Sequence, residues 1–381
     1  MKRALIFSLA YYPHVGGAEV AIKEITNRIA PGDVEFHLVT MRFSPQEKQE
    51  EKIGNVFVYR VGSGTSYLSK ILFVPRAARL AQTLNHQKKF DGLWAMMSYM
   101  LFPVALARLR LPYVLTLQEG DSYDHMFARL RVFLFLPLLN WGFRHAAVVQ
   151  AISNYLGGWA RKRGFKGPLE VIPNGVDTKH FSSGTARDIG KKSGEVWLIH
   201  TGRLVTKNAL DTVIEALPFL PPYIHFFSIG TGPDKQKLEL LAEKLGVAGR
   251  VHFHPFVFNI ELSGYLKACD IFVRPSRSEG MGNSFIEAFA AGLPVIATQE
   301  GGIADFLFDA KRNPDQQTTG WAVDKNSPEQ IAQAVKDILA NPEQAQKVVQ
   351  TARALALAKY DWDLIAKDMK EKVFDRVLLT K

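Results

Sequence analysis

Two doubly wound α/β domains in tandem are what this sequence predicts, and three observations carry that expectation. Its 381 residues exceed one ordinary core, and 47% of them are hydrophobic, as in globular proteins. Short apolar runs alternate with amphipathic stretches along most of the chain, the pattern of a parallel sheet covered by helices. That rhythm breaks once, over residues 174–195, and then restarts. The expected partition is a first domain over 1–173, a linker over 174–195, a second domain over 196–359, and a C-terminal helix over 360–381 placed to pack back on the first domain.

In the first domain the strands read "ALIFSLA", "EFHLVTM", "VFVYRV", "GLWAMM", "YVLTL", "AVVQAI" and "LEVI". Helices are expected between them over 18–29, 75–85, 99–109, 125–142 and 154–163. The stretch "VIPNGVDTKHFSSGTARDIGKKSGE" then brings the Pro, Gly, Ser and charge of a linker. "VWLIHTG", "IHFFSIG", "VHFHPF", "IFVRP" and "PVIAT" are the strands of the second domain, and the tail is helical over 328–340, 343–359 and 362–379. Ligands of such sheets bind beyond the C-terminal strand ends, so two facing domains would form a deep cleft.

Composition narrows the function. The one cysteine, Cys269 in "LKACDIF", excludes an intrachain disulfide and reads as a small buried residue in a reducing compartment. The opening "MKRALIFSLAYYP" has too short an apolar stretch, and no small-residue cleavage site, for a signal peptide. "VFLFLPLLNW" is far below spanning length and is interrupted by Pro137, so no transmembrane helix is expected. The net charge of +10 is unevenly placed. Residues 1–190 hold 24 Lys and Arg against 14 Asp and Glu, whereas residues 191–381 hold 23 against 23. A basic first half suits nucleic acid, an anionic membrane surface or a phosphorylated acceptor. Nucleic acid is the poorer fit, because the charge is scattered and no recognition motif stands out.

Three groups of residues fall at strand ends. Gly16 and Gly17 in "YYPHVGGAEV" follow the first strand and open a helix, a turn that offers backbone N–H groups to phosphate. The G-x-G-x-x-G spacing of a dinucleotide fingerprint is absent. Arg203 and Lys207 in "HTGRLVTKNALDTVIEAL" are cations four residues apart, able to clamp a diphosphate, with solvated loop charges as the alternative. In "RSEGMGNSFIEAFAAGLPVIATQEGG", Glu279 and Glu287 flank Gly280, Met281, Gly282 and Asn283 just before an apolar helix. The helix N-terminus would face an anion while the carboxylates reach for hydroxyls. Ser284 and Glu287 also fit a capping box, so a purely capping Glu287 stays open. Gly230 and Gly232 in "SIGTGPDKQKLE" would add another wall to a nucleotide pocket.

Taken in order, "PHVGGAEV", "AISNYL", "VIPNGVD", "GRLVTKN", "GTGP", "DIFVRPSRSEGMGNSFIEAFAAGLPVIAT" and "GGI" run across almost the whole chain. Together they resemble the family-4 retaining glycosyltransferases, the glycosyltransferase group 1 type. The resemblance implies the GT-B fold, two facing Rossmann-like domains with an interdomain cleft. It implies transfer from a nucleotide-diphosphate sugar, UDP- or GDP-linked, to a glycan or lipid-linked acceptor in polysaccharide or cell-envelope glycoconjugate synthesis. By the same resemblance Glu279, with the backbone N–H groups of Gly280, Met281, Gly282 and Asn283, would hold the transferred sugar. Glu287 would accept from ribose hydroxyls, Arg203 and Lys207 would neutralise the departing diphosphate, and Gly16 and Gly17 would line it. Arg203, Lys207 and Glu279 are thus the expected catalytic residues.

One departure stands out. Family members often carry a His at the end of the fifth strand, where this chain has Gln118, and an amide is no general base. Same-face attack, the family's usual route to retention, has the donor phosphate take the proton and tolerates that loss. Gln118, Glu119, Asp121 and His125 are the acceptor-side candidates, with surface-loop charges as the default reading of the last three. No metal and no other cofactor is expected: no D-x-D stands at a strand end, and "DWD" opens a tail helix. Two cations and a helix N-terminus can do a metal's electrostatic work. The alternatives are a sugar-nucleotide epimerase on the same fold and a non-catalytic sugar-nucleotide-binding protein. Finally, "SYLSKILFVPRAARLAQTL" sets Lys70, Arg76 and Arg79 among apolar residues, and "HMFARLRVFLFLPLLNWGFR" does so with Arg129, Arg131 and Arg144. Such basic amphipathic segments lead us to expect a cytoplasmic protein, peripheral on the cytoplasmic face of an anionic membrane.

Overall fold

The structure is a computed structural model that describes residues 1–379, without the side chains of Leu130 and Arg131. The chain divides into two units, Met1–Gly175 joined by the tail from Trp362, and Val176–Asp361. The first unit holds β1 (Lys2–Phe7), β2 (Val34–Met41), β3 (Glu50–Ile53), β4 (Val56–Val61), β5 (Gly92–Met96), β6 (Tyr113–Leu117), β7 (Val148–Ala151) and β8 (Leu169–Val171). They form one sheet in the order β3-β4-β2-β1-β5-β6-β7-β8, parallel except where β3 runs antiparallel to β4. Central strands such as β1 and β5 are buried on both faces, which is why they read as continuous apolar runs. The helices are α1 (Gly17–Asn27), α2 (Tyr67–Lys88), α3 (Leu101–Ala107), α4 (Tyr123–Phe127), α5 (Leu130–Phe133), α6 (Leu136–His145) and α7 (Asn154–Lys162). Trp362, Ile365, Phe374 and Leu378 of the tail join this unit's core, where the Phe374 ring meets Phe36 at 5.8 Å and Trp94 at 5.0 Å.

The second unit holds β9 (Val196–Thr201), β10 (Ile224–Ile229), β11 (Val251–His254), β12 (Ile271–Arg274), β13 (Val295–Ala297) and β14 (Trp321–Ala322). They form a parallel sheet in the order β11-β10-β9-β12-β13-β14. The loops after β9 and β12, adjacent strands, therefore emerge side by side at the C-terminal edge of the sheet.

Several elements differ from the sequence expectation for identifiable reasons. β3 is not legible in the sequence because "EEKI" opens with three successive charges and has no buried position; it is an edge strand paired with β4, turned back through Gly54 and Asn55. α2 starts at Tyr67 rather than at 75, because Ser66 caps it by accepting from the Ser69 N–H at 3.1 Å. Pro75 then lies inside the helix, at the loss of one backbone bond. The single helix expected over 125–142 is three, α4, α5 and α6, with Ser122 capping the first and Pro137 opening the last. A short helix, Thr178–Ser183, capped by Asp177, lies within 174–195. The final helix is interrupted by a π-helical stretch, Met369–Phe374.

Candidate active site

In the second unit, the chain leaving β9 turns through Arg203, whose carbonyl accepts from Asn208 Nδ2 at 2.6 Å while its side chain stands exposed. Lys207 is half-buried, and its carbonyl accepts from the Arg277 N–H at 2.7 Å. The backbone carrying the two cations is thus pinned at both ends. Gly230 and Gly232, expected to wall a pocket, have another reason to be glycine. A Cβ on Gly230 would collide with the Gly202 carbonyl, and one on Gly232 with that of Leu204. The two loops pack backbone to backbone, joined by the Leu204 N–H donating to Thr231 O at 3.0 Å. These glycines seat the Arg203 loop; that is a structural role.

β12 ends on Arg274, a guanidinium only 8% exposed. It pairs with the Glu279 carboxylate, donates from Nη2 to Asn208 Oδ1 at 2.9 Å and from Nη1 to Ser284 Oγ at 2.9 Å, and lies over the Phe285 ring. Glu279, 7% exposed, also accepts from the Gly280 N–H at 3.0 Å. A hydrogen-bonded chain therefore runs from Glu279 through Arg274 and Asn208 to the Arg203 carbonyl.

The helix that follows spans Asn283–Ala291 and opens on Gly282, at φ 87°, with no side-chain cap. A Cβ there would stand 2.6 Å from the Phe285 ring, so the turn demands glycine. The capping-box alternative for Glu287 fails. Ser284 already lies inside the helix with its hydroxyl on Arg274, and Glu287 sits in the second turn. Glu287 is 7% exposed and accepts a long bond, 3.4 Å, from Asn259 Nδ2. Burial pushes its carboxyl up to about 7, against the lowering influence of Asn259 and Arg274. Gly280 and Met281, between Glu279 and Gly282, are buried as well.

In the first unit, Gly16 adopts extended backbone, φ −137°, and its N–H donates to Glu19 Oε2 at 2.7 Å. That N–H is engaged within the turn. Gly17 is open, with Asn174 Nδ2 3.9 Å from where its Cβ would stand. Asn174 in turn exchanges amide bonds with Gln118, at 3.0 and 3.4 Å, so Gly17 and Gln118 meet around one asparagine. The other three acceptor-side candidates separate. Glu119 is no surface charge: it is 1% exposed, accepts from the Ser98 N–H at 2.7 Å, and has its second oxygen buried without a partner among the described residues. Burial raises its carboxyl above the usual range. Its bond to Ser98 holds the end of β5 just after Met97, a non-glycine residue at φ 73°. Asp121 is half-buried, and His125 is exposed beside Arg129 at 2.7 Å.

Residues 15–180 match the family described as Glycosyltransferase Family 4, and residues 184–355 match Glycosyl transferases group 1. The chain belongs to this glycosyltransferase family group. The GDP-mannose-dependent alpha-(1-6)-phosphatidylinositol monomannoside mannosyltransferase of Mycobacterium tuberculosis (strain CDC 1551 / Oshkosh) is 32% identical over 238 residues, 58% of this chain and 59% of that protein. The match thus spans less than two thirds of that relative's length. Sucrose-phosphate synthase from Thermosynechococcus elongatus superposes with a TM-score of 0.85 at 17% identity, covering 100% of both chains. Anabaena HepE, solved in complex with UDP and glucose, gives 0.76 at 19% identity over 98% of this chain and 100% of its own. The fold is GT-B, built from two Rossmann-like domains.

The site also contains residues that stand out only once the chain is folded. Arg274 reads in the sequence as the end of a strand, and the charge that closes the apolar run "IFV" is its one local signal. Asn259, which braces Glu287, carries no local signal because its partner is 28 residues away, whereas Asn208 stands five residues from Arg203 inside "GRLVTKN" and only its bond to Arg274 is distant in sequence. Asn174 lay within the quoted "VIPNGVD" but was given no role. His200 is fully buried on β9 with Nδ1 3.0 Å from Ser228 Oγ, and burial, with the Arg274 charge beside it, pushes its imidazole well below the usual histidine range. Among the described residues no group of three or more His, Cys, Asp or Glu side chains is placed to hold a metal ion, and no helix is long and apolar enough to cross a membrane.

Proposed function

We propose that this glycosyltransferase moves a sugar, with retention of configuration and without a metal, from a nucleotide-diphosphate sugar to a glycan or lipid-linked acceptor of polysaccharide or cell-envelope synthesis. The observation that carries the reading is the pair of buried carboxylates on either side of one helix start: Glu279, tied through Arg274 and Asn208 to the turn that presents Arg203, and Glu287, met by Asn259. Arg274 takes up part of Glu279 and leaves lone pairs for sugar hydroxyls, since a carboxylate offers about four acceptor directions. Arg203 and Lys207 face the diphosphate, where negative charge grows as the sugar departs. Gly16 and Gly17 are assigned to the same phosphates by family resemblance. Gln118, tied up with Asn174, fits a route in which the donor phosphate takes the acceptor proton. The mannosyltransferase relative depends on GDP-mannose and HepE was solved with UDP, which supports a GDP- or UDP-sugar donor. The test is release of the nucleoside diphosphate on incubation with nucleotide sugar and a membrane-lipid extract. Release that requires the extract and survives excess chelator is expected. Isomerised donor formed without acceptor would move the assignment to an epimerase, and loss with chelator would place a metal in the mechanism.

Glu287 offers a direct test of the ribose assignment. As a ribose acceptor it works as the carboxylate, so affinity for the sugar-free nucleotide should rise as pH climbs through about 7. Glu287→Gln should weaken that binding roughly tenfold or more at pH 8 and flatten its pH dependence, since bonds to a charged acceptor contribute about 1.5–3 kcal/mol. Equal calorimetric affinities for the two proteins at pH 8 would remove the ribose role.

The first unit is proposed to work at the cytoplasmic face of an anionic membrane. Tyr67, Leu68 and Ile71 of α2 and Phe133, Leu134 and Phe135 around α5 are exposed to solvent. They are linked beneath by Tyr99, whose hydroxyl donates to Lys70 O at 2.9 Å, and by Phe102, whose ring meets Tyr99 at 5.5 Å and Phe135 at 5.7 Å. Lys70, Arg76, Arg79, Arg129 and Arg144 accompany these apolar residues, while the Arg131 side chain lies outside the described residues. An apolar patch of this size among cations fits a bilayer interface better than water.

A further inference from the structure

We propose that a groove between α2 and the β3–β4 edge of the first sheet binds a phosphate ester, and that its source is the headgroup of a membrane phospholipid. The proposal rests on the membrane reading above and adds to it a discrete site. The groove has a volume of about 460 Å³ and is lined by Arg76, Arg79 and Thr83 of α2 and by Glu50, Tyr59 and Gly62 opposite. None of these residues is among those assigned to the donor or the acceptor.

The charges of the groove are unequal in kind. Arg60, also in its wall, is compensated: its buried guanidinium meets Glu51 at 2.5 Å, Glu47 at 3.5 Å and the Tyr12 carbonyl at 2.6 Å. Arg76 and Arg79 are exposed and have no carboxylate partner among the described residues. Three residues apart on a helix, they are neighbours on one face and present two planar forks that match phosphate oxygens. Gly62, at φ 75°, makes room for this: a Cβ there would stand 3.1 Å from Arg76 Nη1. Glu50 adds a lone carboxylate, which accepts from the hydroxyls of a glycerol-like group and repels a second phosphate. A monophosphate ester bearing hydroxyls fits that combination; a polyphosphate does not.

The lipid source follows from the rest of the helix. Leu68 and Leu72 are exposed and lie two turns and one turn before Arg76 on its own face. From Leu68 to Arg79 that face passes from apolar to cationic over about 16 Å, the order in which acyl region and phosphate succeed each other in a bilayer. A soluble ester would give no use to the apolar turns.

The experiment compares the full chain with Arg76→Gln/Arg79→Gln, with Leu68→Ser/Leu72→Ser, and with Lys88→Gln/Lys89→Gln, a charge-matched pair at the C-terminal end of α2 outside the groove. Each is titrated with glycerol 3-phosphate and with vesicles of phosphatidylcholine, with and without phosphatidylglycerol, after thermal unfolding has confirmed an unchanged fold. Wild type should bind glycerol 3-phosphate saturably and bind the anionic vesicles. The arginine pair should lose the first and weaken the second roughly tenfold or more. The leucine pair should lose vesicles but keep glycerol 3-phosphate, and the lysine pair should keep glycerol 3-phosphate and lose less on vesicles than the arginine pair. Anionic-vesicle binding by the arginine pair equal to wild type would overturn the groove and leave the membrane reading standing. Saturable glycerol 3-phosphate binding with no vesicle binding by wild type would overturn both the membrane reading and the lipid source.

Discussion

Replacing Arg203 with alanine is expected to lower turnover about a hundred- to thousand-fold, the usual cost of removing one donor from developing charge, or roughly 3–4 kcal/mol. The fold should be unaffected, because the side chain is exposed and the loop is held by its backbone through Asn208 and Thr231. In the proposed role the loss should appear in kcat at saturating donor, since the charge assigned to Arg203 would grow as the bond to the diphosphate breaks. Unchanged turnover at saturating donor would assign Arg203 to solvent and leave Lys207 alone at the phosphates.

Arg274→Ala is expected to act on stability first. The pair of Arg274 with Glu279 is buried, and truncating one member leaves the other charge without compensation, at a cost of about 3–5 kcal/mol. Ser284 and the Asn208 carbonyl oxygen lose their donor in the same change. Urea unfolding of the second unit should shift accordingly. Arg274→Met/Glu279→Gln, which removes both charges at similar volume, should recover most of the loss while remaining inactive. A wild-type midpoint for Arg274→Ala would show that the pair contributes nothing to holding the site.

How much of this was legible in the sequence depends on the distance between the partners. Strands such as β1, β5 and β12 announce themselves because burial on both faces leaves no polar alternation, whereas β3, charged and at an edge, had nothing to distinguish it from a loop. The Glu279–Glu287 stretch was readable because its glycines, carboxylates and helix are contiguous. The capping box was a false local match: the pattern Ser284-x-x-Glu287 is present, but the helix begins at Asn283, which puts Ser284 inside it. Glu119 was misread for the opposite reason. Beside Gly120 and Asp121 it looks like a loop charge, and only the Ser98 N–H at the end of another strand reveals its burial. Arg274 lies within eleven residues of Glu279, Ser284 and Phe285, but only the loop that folds these back onto the end of β12, and the distant Asn208, make it the centre of the site.

The central claim is that the second unit binds a nucleotide-diphosphate sugar through Arg203 and Glu287. Thermal unfolding of the full chain with UDP-, GDP- and ADP-sugars tests it most directly, because a ligand present at a hundred times its Kd stabilises the folded state by about 2.7 kcal/mol. One base should raise the transition well above the others, and that rise should shrink in both Arg203→Ala and Glu287→Gln. No stabilisation by any nucleotide sugar, or a rise that both variants retain in full, would contradict the account.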